Sequence, residues 1–155
     1  MQALTNNLTV FVIDEAEAAR RAMRRAFAGR GFETYERDTP LGATRELVHV
    51  QAHALVIDLE FSVMRGDAFI ALLRRNDRLD HVAAVLVGAG SSTELSRAAE
   101  ASGADGSFSK DQPLDGLAAL VERLCSRRAA SLASARRLEL ITEAAKRPSQ
   151  PDLGS

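Results

Sequence analysis

The chain has 155 residues, 46% of them apolar and 26% charged, enough for one domain with a substantial core and cramped for two. Twenty Lys and Arg against 21 Asp and Glu give a net charge of −1, so no overall field draws the chain to nucleic acid or an anionic membrane. A single cysteine, Cys125, excludes an internal disulfide framework and a cysteine-based zinc site, and fits a reducing compartment.

The charge is unevenly placed. Residues 126–155 carry six basic side chains against three acidic ones, a balance of +3 that leaves −4 for the first 125. The polar start, residues 1–7, lacks the basic and apolar regions of a secretory leader, and no apolar run approaches the roughly 20 residues of a membrane span. A cytoplasmic protein is expected, with no membrane partner.

In chain order, the first apolar run is 8–13 (LTVFVI), too continuous for a strand with one wet face. Residues 16–30 follow with helical period: Ala19, Met23, Ala26 and Phe27 share a stripe, Arg20, Arg21, Arg24 and Arg25 mostly cover the outside, and Gly31 stops the helix. A short strand over 32–35 and a helix near 41–50 lead into a second continuous run, 54–57 (ALVI), ending at Asp58. Residues 66–75 predict a helix with Phe69, Ile70, Leu72 and Leu73 inward, and 82–87 (VAAVLV) a further buried strand. Ser91 and Glu94 have capping-box spacing, opening a helix that Gly103 closes. A weak strand surrounds Phe108, and a last helix opens near Pro113 with Leu114, Leu117, Leu120, Val121 and Leu124 inward. Five β-α units in succession predict an α/β fold with an open, doubly wound parallel sheet.

Residues 125–147 contain no Gly or Pro and much Ala, so helix is expected to continue past the domain. The organisation predicted is a domain over 1–125, an Arg-rich helical extension over 126–147 and a disordered tail over 148–155. The extension has Ala129, Leu132, Leu138, Leu140 and Ile141 for a partner helix, so a homodimer through it is one expectation. The pairs Arg127-Arg128 and Arg136-Arg137 are its candidate anion site.

In open α/β sheets ligands bind beyond the carboxyl ends of the strands. Those positions carry Asp14 and Glu15, then Asp58 and Glu60, then Gly88, Ala89 and Gly90, and finally Lys110. Carboxylates gathered in one crevice repel one another, and a hard cation such as Mg²⁺ relieves that repulsion through oxygen ligands. A lysine in the same crevice pairs with a carboxylate or with an anion on it. Metal, carboxylate and ammonium together suit phosphoryl transfer onto an aspartate, with Asp58 as nucleophile.

The segments VFVIDE (10–15), LVIDLEFSVMRGD (55–67) and GADGSFSK (103–110) together resemble a response-regulator receiver domain over about 8–124. The resemblance implies a flavodoxin-like sheet of order 2-1-3-4-5. It implies that Asp58 accepts a phosphoryl group from a histidine kinase or phosphotransfer protein, that Lys110 contacts that group, and that a downstream protein reads the result. Glu15, Asp58 and the backbone carbonyl of Glu60 would bind Mg²⁺ directly, and Asp14 through water.

The chain departs from the family at its switch. The hydroxyl residue usual at the end of the fourth strand is Gly88, leaving the Ala89 N–H for an anion, and the aromatic residue usual three before the lysine is Ser107. Asp111 replaces the proline usual after the lysine, and Phe61-Ser62 the usual Met-Pro. The expected function is a non-enzymatic two-component signalling module with a degenerate switch, phosphorylated on Asp58 and acting through protein contacts. The alternative is a phosphorylation-independent adaptor that binds a nucleotide second messenger or a partner through the basic helix. No DNA-reading motif is present, so nucleic acid is not an expected partner. His49 and His53, four apart, straddle a helix-to-strand junction and make a poor metal pair.

Overall fold

A computed structural model describes residues 6–148. Five parallel strands, β1 (Thr9–Ile13), β2 (Glu33–Arg37), β3 (Ala54–Asp58), β4 (Ala83–Gly88) and β5 (Gly106–Ser109), form one sheet of order β2-β1-β3-β4-β5. Between them run α1 (Glu17–Ala28), α2 (Ala43–His49), α3 (Gly66–Leu73) and α4 (Ser92–Ser102), and α5 (Asp115–Lys146) follows β5.

The reason the strands read as unbroken apolar runs is that both sheet faces are covered. Phe11, Ile13, Leu55, Ile57 and Leu86 point into one core with Leu47 of α2, Phe69, Ile70 and Leu73 of α3, and Leu95 of α4. Their neighbours Val10, Val12, Val56, Val85 and Val87 point into the other, against Met23 and Phe27 of α1 and Leu117, Val121 and Leu124 of α5. The edge strands depart from this: β2 is mostly exposed and stapled by the stack of Tyr35 on Phe11, and β5 (GSFS) is buried only in its second half.

Several details differ from expectation. The helix of 66–75 ends at Leu73 and leaves Leu72 48% exposed, because only the turns carrying Phe69, Ile70 and Leu73 face the sheet. Ser91 is the N-cap of α4 but makes no side-chain cap bond, so the capping box is not formed. That residue lies exposed on a loop turned outward at Gly90, whose φ is +93°. Leu114 and Leu120 are only half-buried. Gly31 (φ +82°) and Gly103 (φ +86°) adopt the left-handed conformation that favours glycine where helices end.

Helix α5 is continuous through Lys146, and from residue 129 onward every described position is exposed. About 27 Å of helix therefore projects from the base of the domain at ~1.5 Å per residue. Its root is fixed by an ionic cluster. Asp105 receives Arg128 Nη1 at 2.8 Å and Arg74 Nη2 at 2.7 Å, and the same guanidiniums reach the carbonyls of Asp80, Val82 and Gly103. Residues 149–155, most of the expected tail, lie outside the described residues. No helix among the described residues is long and apolar enough to cross a membrane.

Candidate functional site

The sheet's order reverses direction beside β1, so the ends of β1 and β3 form the crevice where such sheets hold ligands. Ile13 is in register with Ile57, which sets Asp14 and Asp58 side by side just past the last pairs of buried residues. Both are nearly inaccessible, 2% and 6% exposed. Lys110 follows β5, its backbone N–H held by the Gly88 carbonyl at 2.9 Å. Its ammonium forms ion pairs with both Asp14 Oδ2 and Asp58 Oδ2. The other carboxylate oxygens accept backbone N–H groups: Asp14 Oδ1 from Ala16 at 2.9 Å, and Asp58 Oδ1 from Glu60 at 2.7 Å.

One ammonium thus serves two carboxylates. Burial works against the Lys110 charge, but the two carboxylates outweigh it and hold its pKa above the ordinary lysine value. For Asp58, burial raises the pKa, and the Asp14 charge adds to it, against the opposing pull of Lys110 and the Glu60 N–H. Asp14 Oδ2 is buried and has no aligned hydrogen-bond donor beyond its ion pair. Two buried carboxylates in a set of ligands made only of oxygens are the donor chemistry of a hard cation.

Glu15 is not drawn into the same cluster. Its Oε1 accepts from the Ser62 N–H at 3.2 Å and from the Ser62 hydroxyl at 3.0 Å. Consequently, among the described residues, no three His, Cys, Asp or Glu side chains surround a common point suited to a metal. Glu60 contributes its backbone while its side chain is exposed. Nothing in the sequence marked Ser62 as a partner; its value is visible only once α3 and its loop fold over β1.

Gly66, which carries no mark of a site residue in the sequence, opens α3 directly against Asp58. A Cβ there would lie 2.0 Å from the Asp58 carbonyl oxygen, so only glycine lets α3 seat under the acidic loop. Across the crevice, Gly88 ends β4. Asp111 stands at the rim, its carboxylate 3.4 Å from the Gly90 N–H, and Ser91 and Ser92 are exposed. Ser107, half-buried on β5, has its Oγ 3.3 Å from Ser96 Oγ of α4.

The arginines of the extension divide. Arg128 is committed to Asp105 and the Asp80 carbonyl, so it is not a free half of an anion site with Arg127; long-range folding of α5 onto β5 created a partner the sequence did not reveal. Arg127, Arg136 and Arg137 are exposed. His53 Nδ1 accepts the Thr9 N–H at 3.0 Å, which fixes that ring in the sheet's base. Cys125 is half-buried beside the His53 carbonyl, and burial pushes its thiol up to about 11, a packing cysteine with little thiolate.

Known structures share this architecture. The chemotaxis response regulator CheY4 of Vibrio cholerae matches with a TM-score of 0.69 at 18% identity, covering 77% of this chain and 99% of that one. The receiver domain of the Francisella response regulator 1452 gives 0.68 at 23% identity, covering 78% and 98%. The signal receiver domain of an HD domain-containing protein from Pseudomonas fluorescens Pf-5 gives 0.72 at 11% identity, covering 86% and 97%. No curated protein matches in sequence. The sequence profile of the response regulator receiver domain, however, spans residues 10–122, from β1 to the buried half of α5, and includes every residue of the acidic crevice: the chain belongs to the response regulator receiver domain family.

Proposed function

We propose that this receiver domain takes a phosphoryl group on Asp58 from a phosphohistidine donor in the cytoplasm, and that it signals through protein contacts without turnover of its own. The observation that carries this reading is the Lys110 ammonium bridging two buried carboxylates, Asp14 and Asp58, at the carboxyl ends of β1 and β3. In the transfer an Asp58 carboxylate oxygen bonds to phosphorus while the donor's P–N bond breaks. The electron pair leaves on the imidazole nitrogen, which takes up a proton from solvent. Lys110, already in the crevice, is positioned to contact a phosphoryl oxygen, and the Ala89 N–H at the open Gly88 loop is a second donor.

The donor set also fits Mg²⁺. Asp58, Glu15 released from Ser62, and the Glu60 carbonyl would hold it, with Asp14 acting through water. The ion would supply further neutralisation of the phosphoryl charge. A nuclear magnetic resonance titration with Mg²⁺ and beryllofluoride, a phosphoryl mimic, tests the site. Amides of Ala16, Glu60, Ala89 and Lys110 should shift in the native chain and stay fixed in Asp58→Asn. Equal shifts in both proteins would place the ligand elsewhere.

A further inference from the structure

Gly88 at the end of β4 and Ser107 on β5 each lie against a residue of α4. A Cβ on Gly88 would sit 3.2 Å from Leu95 Cδ1 and 3.7 Å from Leu59 Cβ, so Leu95 packs closely against the end of β4. That leucine is 3% exposed and belongs to the core formed with Leu86 and Ile57. One residue on, Ser96 meets Ser107 across the gap between α4 and β5. Ser107 is itself paired in the sheet with Leu86, so both contacts land on the same stretch of β4 and β5.

We propose that Leu95 and Ser96 form a latch that holds α4 in one seat on β4 and β5, whatever occupies Asp58. The inference rests on the proposed phosphoacceptor only for its ligand arm. A ligand shifts a conformational equilibrium only by as much as it interacts differently with the two states. Leu95 contributes an apolar contact that a new negative charge neither strengthens nor weakens, and the Ser96–Ser107 contact is made on α4 and β5, with no hydrogen bond to Asp14, Asp58 or Lys110. Gly88 offers no side chain that could carry the event from the crevice to the helix. Residues 92–102 are thus positioned by packing rather than by the occupant of the site.

Amide hydrogen exchange on the full chain tests the latch. In the native protein, adding Mg²⁺ and beryllofluoride should slow exchange at Ala16 and Glu60 and leave Ala98, Ala99 and Glu100 unchanged. Leu95→Ala should speed exchange at those α4 amides by about tenfold or more, and by more than at β1 and β3, as expected of a helix losing its main buried contact. Ser107→Ala should do so to a smaller degree. Should Leu95→Ala fail to fold, the milder Leu95→Val, which shortens the same side chain, should speed the same amides. Altered α4 protection on adding beryllofluoride would overturn the proposal, as would native-like α4 exchange in the Leu95 variant. If beryllofluoride changes no amide at all, the phosphoacceptor reading fails, and the variants alone decide the latch.

Discussion

At Lys110 a single ammonium neutralises two buried carboxylates, so removing it leaves Asp14 and Asp58 facing each other without compensation. Lys110→Ala should therefore destabilise the fold by about 3 kcal/mol, measured by denaturant unfolding, and millimolar Mg²⁺ should recover part of the loss. The pH dependence follows from two shifts. Because the folded-state pKa of Lys110 is raised, its contribution is fully present below the ordinary lysine value and is lost as pH rises through the raised one. Asp58 works the other way: its raised pKa makes the ionised carboxylate a cost to the fold, one that sets in as pH rises above about 4. Asp58→Asn should accordingly be at least as stable as the native chain at neutral pH, with the difference shrinking toward acid. A less stable Asp58→Asn at pH 7 would contradict that account. Gly66→Ala should be destabilising by about 2 kcal/mol and should weaken beryllofluoride binding, since its methyl group meets the Asp58 carbonyl rather than a movable side chain.

Among the elements, the anchoring of α5 is the least expected. Asp105 sits between Arg74 and Arg128 and also accepts the Ala84 N–H at 2.8 Å, so one carboxylate joins α3, β4, β5 and α5. Asp105→Asn leaves two guanidiniums together, an effect Arg74 already registers in a lowered pKa, to which burial contributes most and Arg128 next. It should cost about 3 kcal/mol and raise amide exchange first in residues 120–128. This cluster illustrates what sequence reading misses. The strands, the glycine ends of α1 and α4, and the acidic positions past β1 and β3 were legible because each depends on local pattern: doubly buried runs, left-handed glycines, and a topology that aims strand ends at one crevice. Asp105 in GADG, Ser62 and Leu95 carry no local mark of their roles, since their partners lie on other elements and meet them only after folding. Leu72 lies outside the core for a related reason: helical period identifies an apolar stripe, but the length of the contact with the sheet decides which of its residues are covered.

For the whole molecule, the near-zero net charge conceals an acidic domain and a basic arm. The core lies entirely before residue 125, and the arm beyond residue 129 is exposed at every described position. A chain ended after Ser131 should consequently unfold within about 0.5 kcal/mol of the full one, the range of surface changes, and should retain the site. The proposed signalling role depends on Asp58 serving as the phosphoacceptor of this receiver domain. Incubation of the native chain with a small-molecule phosphodonor and Mg²⁺, followed by intact-mass and peptide analysis, tests this most directly. The mass of one phosphoryl group should appear on the peptide carrying Asp58 and be absent from Asp58→Asn. An unmodified native chain, or equal modification of both proteins, would contradict it.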